Sequence, residues 1–174
     1  LLEWIEGQMW AEKSSHSTEE IIELGRVVAK IDAELIKLEI SEAEKDLLNR
    51  DFIWNMLQAG RALQWVDKIT NSETKEIVIQ TLESFMKNAK KALLQMPSQL
   101  IHNDANEWNI VSTDSGPKII DFGDLIFAPR IVGLAVAGAY LSLGADDPTF
   151  EISKLIRGYH SITPLSLEEI EVLH

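Results

Sequence analysis

The stretch Ile101-His102-Asn103-Asp104-Ala105-Asn106-Glu107-Trp108-Asn109-Ile110-Val111, followed by Ile119-Ile120-Asp121-Phe122-Gly123-Asp124, decides how this chain is read. An aspartate, an asparagine five positions later and a second aspartate stand around two short apolar runs. That order suits phosphoryl transfer from a nucleotide, in which one carboxylate orients the acceptor hydroxyl while an amide oxygen and a second carboxylate hold magnesium. Asp104 is the candidate for the first task, Asn109 and Asp121 for the second. Magnesium accepts such hard oxygen ligands and fills its remaining positions with water and substrate phosphates.

The flanking sequence supplies a scaffold. Gln99 to His102, Ile110-Val111 and Lys118 to Phe122 are strand-like, and Asp114-Ser115-Gly116-Pro117 is a turn between the last two. The resulting hairpin presents Asn109 and Asp121 at its outer ends. Each residue also has a plainer reading: Asp104 as a turn residue, Asn109 likewise, and Asp121 as a cap. Three of them in register favour the chemical one. His102 has no His/Cys partners for a metal and reads as a brace of the catalytic set. Asn106 is a loop stabiliser or a phosphate or acceptor contact. Asp124 binds a second ion or the acceptor's amine, or caps the backbone ahead of Leu125. Glu107 reads as solvated.

Upstream, helices dominate. Ser17 and Glu20 form a capping box ahead of Leu24, Val27, Val28, Ile31, Leu35 and Leu38, which repeat at helical spacing. A second helix is expected over Phe52–Val66, with Trp54, Leu57 and Leu63 as anchors. A third spans Glu73–Gln95, its apolar face including Ile77, Leu82 and Phe85, and Pro97 stops it. Residues 8–18 read as polar and irregular. Downstream, helices are expected over Ile131–Leu143 and Pro148–Tyr159, and Ser166 with Glu169 forms another capping box. Of the tryptophans, Trp54 and Trp65 are assigned to the core, and Trp108 has the best claim to line an acceptor pocket.

Composition narrows the classes. The 174 residues suffice for one domain, at 45% hydrophobic and 25% charged. Lys and Arg number 16 against 28 Asp and Glu, a formal charge of -12, which disfavours a nucleic-acid partner. ATP would need a local basic group or bound magnesium. There is no cysteine, which suits a reducing, cytoplasmic compartment. The longest low-charge run, residues 131–145, is too short to span a membrane. A start at Leu1 suggests a piece of something longer.

On the motifs quoted above, the chain resembles the aminoglycoside phosphotransferase and choline kinase superfamily. Within it, the homoserine-kinase-like and hydroxylysine-kinase-like members, including those fused to class III aminotransferases, are most similar. Phe52-Ile53-Trp54-Asn55 and Gly158-Tyr159-His160, then Pro164-Leu165, carry the same likeness. It implies a protein-kinase-like α+β fold, mostly the helical C-terminal lobe with a small catalytic β-hairpin. Residues 1–7 would be the hinge and end of an N-lobe strand, and 8–174 a truncated C-lobe. By that resemblance Asp104 matches the catalytic base, Asn109 and Asp121 the magnesium ligands, and Glu3 and Ile5 the nucleotide-facing hinge positions.

The sequence departs from the pattern in two ways. No glycine-rich strand pair, strand lysine or helix glutamate precedes the hinge, and Gly133 stands where relatives carry an acidic brace. The resemblance therefore implies a kinase in full-length form, using ATP and Mg2+ on a small-molecule hydroxyl acceptor, an amino alcohol or hydroxy amino acid. This stretch alone is expected to be inactive, lacking an N-lobe or fused domain, with exposed apolar surface that could form a homodimer. The alternatives are a pseudokinase or partner-binding region of a larger protein, and a structural ion site in a helical domain.

Overall fold

A computed structural model describes residues 4–48 and 52–173. The expected strand end over residues 1–5 is not formed at Trp4-Ile5, which are irregular; residues 1–3 lie outside the described residues. A two-residue strand, β1 (Gln8–Met9), instead lies in the stretch read as irregular, and a short 3-10 turn, Trp10–Glu12, follows it. The capping box is present: Ser17 Oγ accepts from the Glu20 amide at 3.2 Å and Glu20 returns the bond at 2.9 Å. It opens α1 (Thr18–Leu35), whose apolar face buries Ile21, Leu24, Val28 and Leu35. The helix stops there, so Leu38 falls off the stripe and is exposed. Ser41 and Glu44 make a second reciprocal cap, at the head of α2 (Glu42–Leu48), which periodicity did not suggest.

The expected helix from Phe52 begins later and winds tighter. Asn55 Oδ1 accepts from the Leu57 amide at 3.0 Å and starts a 3-10 run, Met56–Lys68. Trp54 therefore precedes the cap and has no helical face to bury it; it is 67% exposed. Trp65, in a winding of three residues per turn, is 43% exposed. Neither is a core residue. The single helix expected over Glu73–Gln95 is two, α3 (Ser72–Lys87) and α4 (Ala89–Leu93). They part at Asn88, whose φ of -110° and ψ of -80° leave the helical region. Asparagine competes for backbone hydrogen bonds and is a poor helix former, so the break falls where the sequence is weakest. Ile77, read as core-facing, is exposed.

Four more strands surround the quoted stretch: β2 (Ser98–Ile101), β3 (Ile110–Thr113), β4 (Gly116–Ile119) and β5 (Ile126–Pro129). The expected β3–β4 hairpin forms, with Ile110 opposite Ile119, and β1 adds to it through Met9 opposite Val111. β4 ends before Phe122, because Asp121 turns into the left-handed region at φ 62° and opens a short 3-10 turn, Phe122–Asp124. β5, not foreseen, pairs antiparallel with β2, Ile101 facing Ile126.

Three helices complete the chain: α5 (Arg130–Ser142), α6 (Pro148–Ile162) and α7 (Leu167–Val172), the last behind the expected Ser166–Glu169 box. α1 and α6 touch backbone to backbone. A Cβ on Gly25 would sit 2.1 Å from the Leu155 carbonyl oxygen, and one on Gly158 would sit 1.9 Å from that of Ile22. Only glycine permits so close an approach. The core that fills in around this contact contains Leu24, Ile101, Ile126, Ile131, Leu134 and Leu155, with Ile101 leading straight into His102. The result is an α+β, protein-kinase-like fold. Among the described residues no helix is long and apolar enough to cross a membrane.

Candidate active site

The loop between β2 and β3 is tied down chiefly by its own side chains. Asn109 Nδ2 donates to the Asp104 backbone oxygen at 2.8 Å and to Asp104 Oδ2 at 2.7 Å. Asn106 Nδ2 donates to Asp104 Oδ1 at 2.8 Å, and its own Oδ1 accepts from the Trp108 amide at 2.7 Å. Both carboxylate oxygens of Asp104 are thus held by amides, which fixes the side chain without neutralising it. His102 lies beneath. Its Nδ1 accepts from the Asp104 amide at 3.3 Å while Nε2 stands 3.0 Å from the Ile120 carbonyl oxygen. Those two contacts fit one neutral tautomer, with the proton on Nε2.

The same ring gathers the second half of the site. Phe122 meets it edge-on with centroids 4.6 Å apart. Burial lowers the His102 pKa, opposed by the Ile120 carbonyl and by the charges of Asp104, Asp121 and Asp124. All three carboxylates therefore lie within electrostatic reach of one imidazole. Asn109 and Asp121 approach through the backbone, since the Ile120 amide donates to the Asn109 carbonyl oxygen at 2.9 Å. The Asp121 side chain is exposed, and its Oδ1 accepts from the Gly123 amide at 3.1 Å.

The donor set fits magnesium. The amide hydrogens of Asn109 are spent on Asp104, which leaves its oxygen for a cation, and Asp121 offers an anionic oxygen at an exposed position. Among the described residues no three His, Cys, Asp or Glu side chains cluster as a metal cage. Two protein ligands with the rest left to water and phosphates is the usual pattern for magnesium in nucleotide sites.

Other residues sort less evenly. Asp124 is half-buried in the 3-10 turn. Ile5, partly exposed, lies just ahead of Gly7, where an added Cβ would fall 2.3 Å from the Ser112 carbonyl oxygen, so this lead-in runs along β3. Glu3 lies outside the described residues. Trp108 is 61% exposed beside the loop. Gly133 is buried over Ile101, with room for a Cβ at ordinary contact, 3.8 Å. Asn103, left-handed at φ 64°, is buried with its Oδ1 unpaired among the described residues. A cavity of about 1570 Å3 between α3–α4 and α7 shares no residue with the catalytic loop.

One polar cluster escaped the sequence reading. Asp32, buried on α1, accepts from the Tyr159 hydroxyl at 2.7 Å, and its backbone oxygen accepts from Gln99 Nε2 at 3.0 Å. Burial raises the Asp32 pKa to about 7, against the opposing Tyr159 bond and Arg130 charge. Arg130 forks onto Glu169 at 2.7 and 2.8 Å and also donates to the Pro164 carbonyl at 2.9 Å. The signal was legible: a carboxylate four residues after Val28 and three before Leu35 sits on the apolar stripe. The cluster locks α1, α5, α6 and α7 together behind β2.

A family model described as "Phosphotransferase enzyme family" matches residues 1–170. The hydroxylysine kinase of Mus musculus is 25% identical over 99% of this chain and 48% of its own length. That of Bos taurus is 24% identical over 84% and 41%. This chain thus spans about half the length of these curated relatives. Among solved structures, an aminoglycoside phosphotransferase from Alicyclobacillus acidocaldarius superposes with a TM-score of 0.63 at 16% identity, covering 98% of this chain and 55% of that one. The AMP-bound complex of a spectinomycin phosphotransferase gives 0.58 at 16%, covering 98% and 57%.

Proposed function

This chain belongs to the phosphotransferase enzyme family, and we propose that it carries the catalytic half of an ATP-dependent kinase for a small hydroxylated amine. The observation that carries the reading is the double anchoring of Asp104 by Asn106 and Asn109. Catalysis of phosphoryl transfer is chiefly positioning and electrostatics. Asp104 would accept the hydrogen bond of the acceptor hydroxyl and aim its oxygen at phosphorus. Asn109 and Asp121 would hold magnesium, which when bound neutralises the phosphate oxygens. His102 would keep the Asp104 backbone in place, and Asn106 would meet the transferred phosphate or the acceptor. Ile5 would face the nucleotide.

The acceptor class within this proposal is an amino alcohol or hydroxy amino acid, supported by the likeness to hydroxylysine kinases. A cytoplasmic setting and magnesium-ATP as donor belong to the same proposal. The absence of an acidic side chain at Gly133 supports the competing pseudokinase reading, but the loop's own hydrogen bonds already hold Asp104 without such a brace. The test is phosphoryl transfer from magnesium-ATP to hydroxylysine and ethanolamine by the full-length protein, with Asp104→Ala as control. Transfer abolished by the substitution is expected. Nucleotide binding without transfer to any hydroxyl would establish the pseudokinase instead.

A further inference from the structure

The chain enters Asp104 through a residue that carries two costs. Asn103 is buried with its Oδ1 unpaired among the described residues, and its backbone is left-handed at φ 64°. The turn itself has a use, since across it the Asp104 amide folds back onto Nδ1 of His102. Asparagine tolerates that conformation better than most residues, but glycine adopts it freely. Glycine would make the same turn without burying an amide whose oxygen is unpaired, a state that folded proteins avoid. The turn alone therefore does not account for the side chain.

The Asn103 amide reaches out of the loop. Its Nδ2 donates to the Trp54 carbonyl oxygen at 3.5 Å, whereas the Asp104 carboxylate is held from within the loop by Asn106 and Asn109. The distant acceptor is firmly mounted. The Asn55 amide donates to the Phe52 carbonyl oxygen at 3.0 Å, and the buried Asn55 side chain caps the 3-10 run at the Leu57 amide, 3.0 Å. Phe52, Met56 and Leu57 pack against the core. The side chains of Ile53 and Trp54 are exposed, and the segment's bond to the loop is made by its backbone.

We propose that Asn103 is a positioning residue, whose side-chain amide ties residues 52–55 to the catalytic loop and fixes the backbone from which the Asp104 carboxylate is aimed. This role rests on the reading of Asp104 as the group that meets the acceptor hydroxyl. Asn103 touches no reacting atom and acts through its neighbour alone. Transfer rates fall steeply when a reacting group is slightly misplaced, while binding of the two substrates does not depend on that aim. Loss of the tie should therefore appear in kcat and spare KM.

The test uses the full-length protein, with magnesium-ATP as donor and hydroxylysine as acceptor. Asn103→Gly keeps the left-handed turn and removes the amide. Its kcat should fall about tenfold or more, with KM for both substrates within about twofold of the parent, and hydrogen exchange at the Asp104 amide should quicken. Asn103→Asp keeps the shape and the tolerance of the turn but removes the donor, and its kcat should fall as well. The pair separates the amide from the stiffness of the backbone. A glycine variant with parental kcat and exchange, in a protein that transfers phosphate, overturns the positioning role alone. So does an aspartate variant with parental kcat beside an impaired glycine one. A rise in KM with kcat unchanged also overturns it, since Asn103 would then serve binding. A parent that transfers phosphate to no hydroxyl overturns the reading of Asp104 on which the role rests.

Discussion

Asn109 binds Asp104 twice through one amide nitrogen, at the backbone oxygen, 2.8 Å, and at Oδ2, 2.7 Å. The residue proposed to hold magnesium therefore also sets the direction of the residue proposed to orient the hydroxyl. Replacing Asn109 by Asp would remove both donors and set two carboxylates against each other. Asn109→Asp should lower kcat of the full-length protein by about a hundredfold or more and cost about 1–3 kcal/mol of stability. Steady-state kinetics and denaturant unfolding check the two effects. Unchanged stability would show that these bonds do not constrain the loop.

His102 supports the loop from below, and its removal has a separate signature. His102→Ala leaves the Asp104 amide and the Ile120 carbonyl without their partner. The loss should be about 1–3 kcal/mol, with faster hydrogen exchange at the Asp104 amide. Burial depresses the His102 pKa in the folded chain. Its contribution is present above the unfolded value of about 6.5 and is lost as pH falls through the lower folded value. His102→Ala should therefore flatten the acid side of the stability profile below about pH 6.5.

Asp32 acts with the opposite sign. Its pKa, raised from 3.8 to about 7 by burial, means that the fold favours the protonated acid. Its favourable term is complete below pH 3.8 and is lost as pH rises to about 7. Asp32→Asn stays neutral and can still accept from the Tyr159 hydroxyl. It should be more stable than the parent at pH 8, by about 1–3 kcal/mol, and near parity at pH 4. Urea unfolding at the two pH values decides; a variant less stable at pH 8 would mean that the Arg130 charge outweighs desolvation.

The contact of α1 with α6 leaves no room for a methyl group. Gly158→Ala would drive its Cβ against the Ile22 carbonyl oxygen, 1.9 Å away, with backbone rather than a flexible side chain in the way. Relief requires the helices to separate and open the core between them. The cost should be about 3 kcal/mol or more, visible as a lowered Tm. Gly133→Ala, whose Cβ meets Ile101 only at 3.8 Å, should cost little and serves as the control.

What could be read in advance follows from the range of the forces involved. The caps at Ser17 and Ser166 are decided within four residues, so their patterns were visible in sequence. The same holds for the β3–β4 hairpin, whose turn residues lie between its strands. Trp54 and Trp65 went astray because a 3.6-residue period was assumed where Asn55 starts a 3-10 run. β5 was missed because its partner β2 lies twenty-five or more residues upstream and nothing local requires the pairing. Asp104, Asn109 and Asp121 were read as a set, while the hydrogen bonds by which Asn106 and Asn109 hold Asp104 were not. Asp32 needed α6 in place before its partner Tyr159 could be identified.

The hairpin of β3 and β4 puts its tight turn, Asp114-Ser115, at one end and Asn109 with Asp121 at the other. Because Ile110 pairs with Ile119 and Thr113 with Gly116, residues added at the tip lengthen the turn without altering the register of the far end. That exposed tip is accordingly the place to attach a spectroscopic label or an affinity handle, a vantage from which the end proposed to hold the ion can be watched undisturbed.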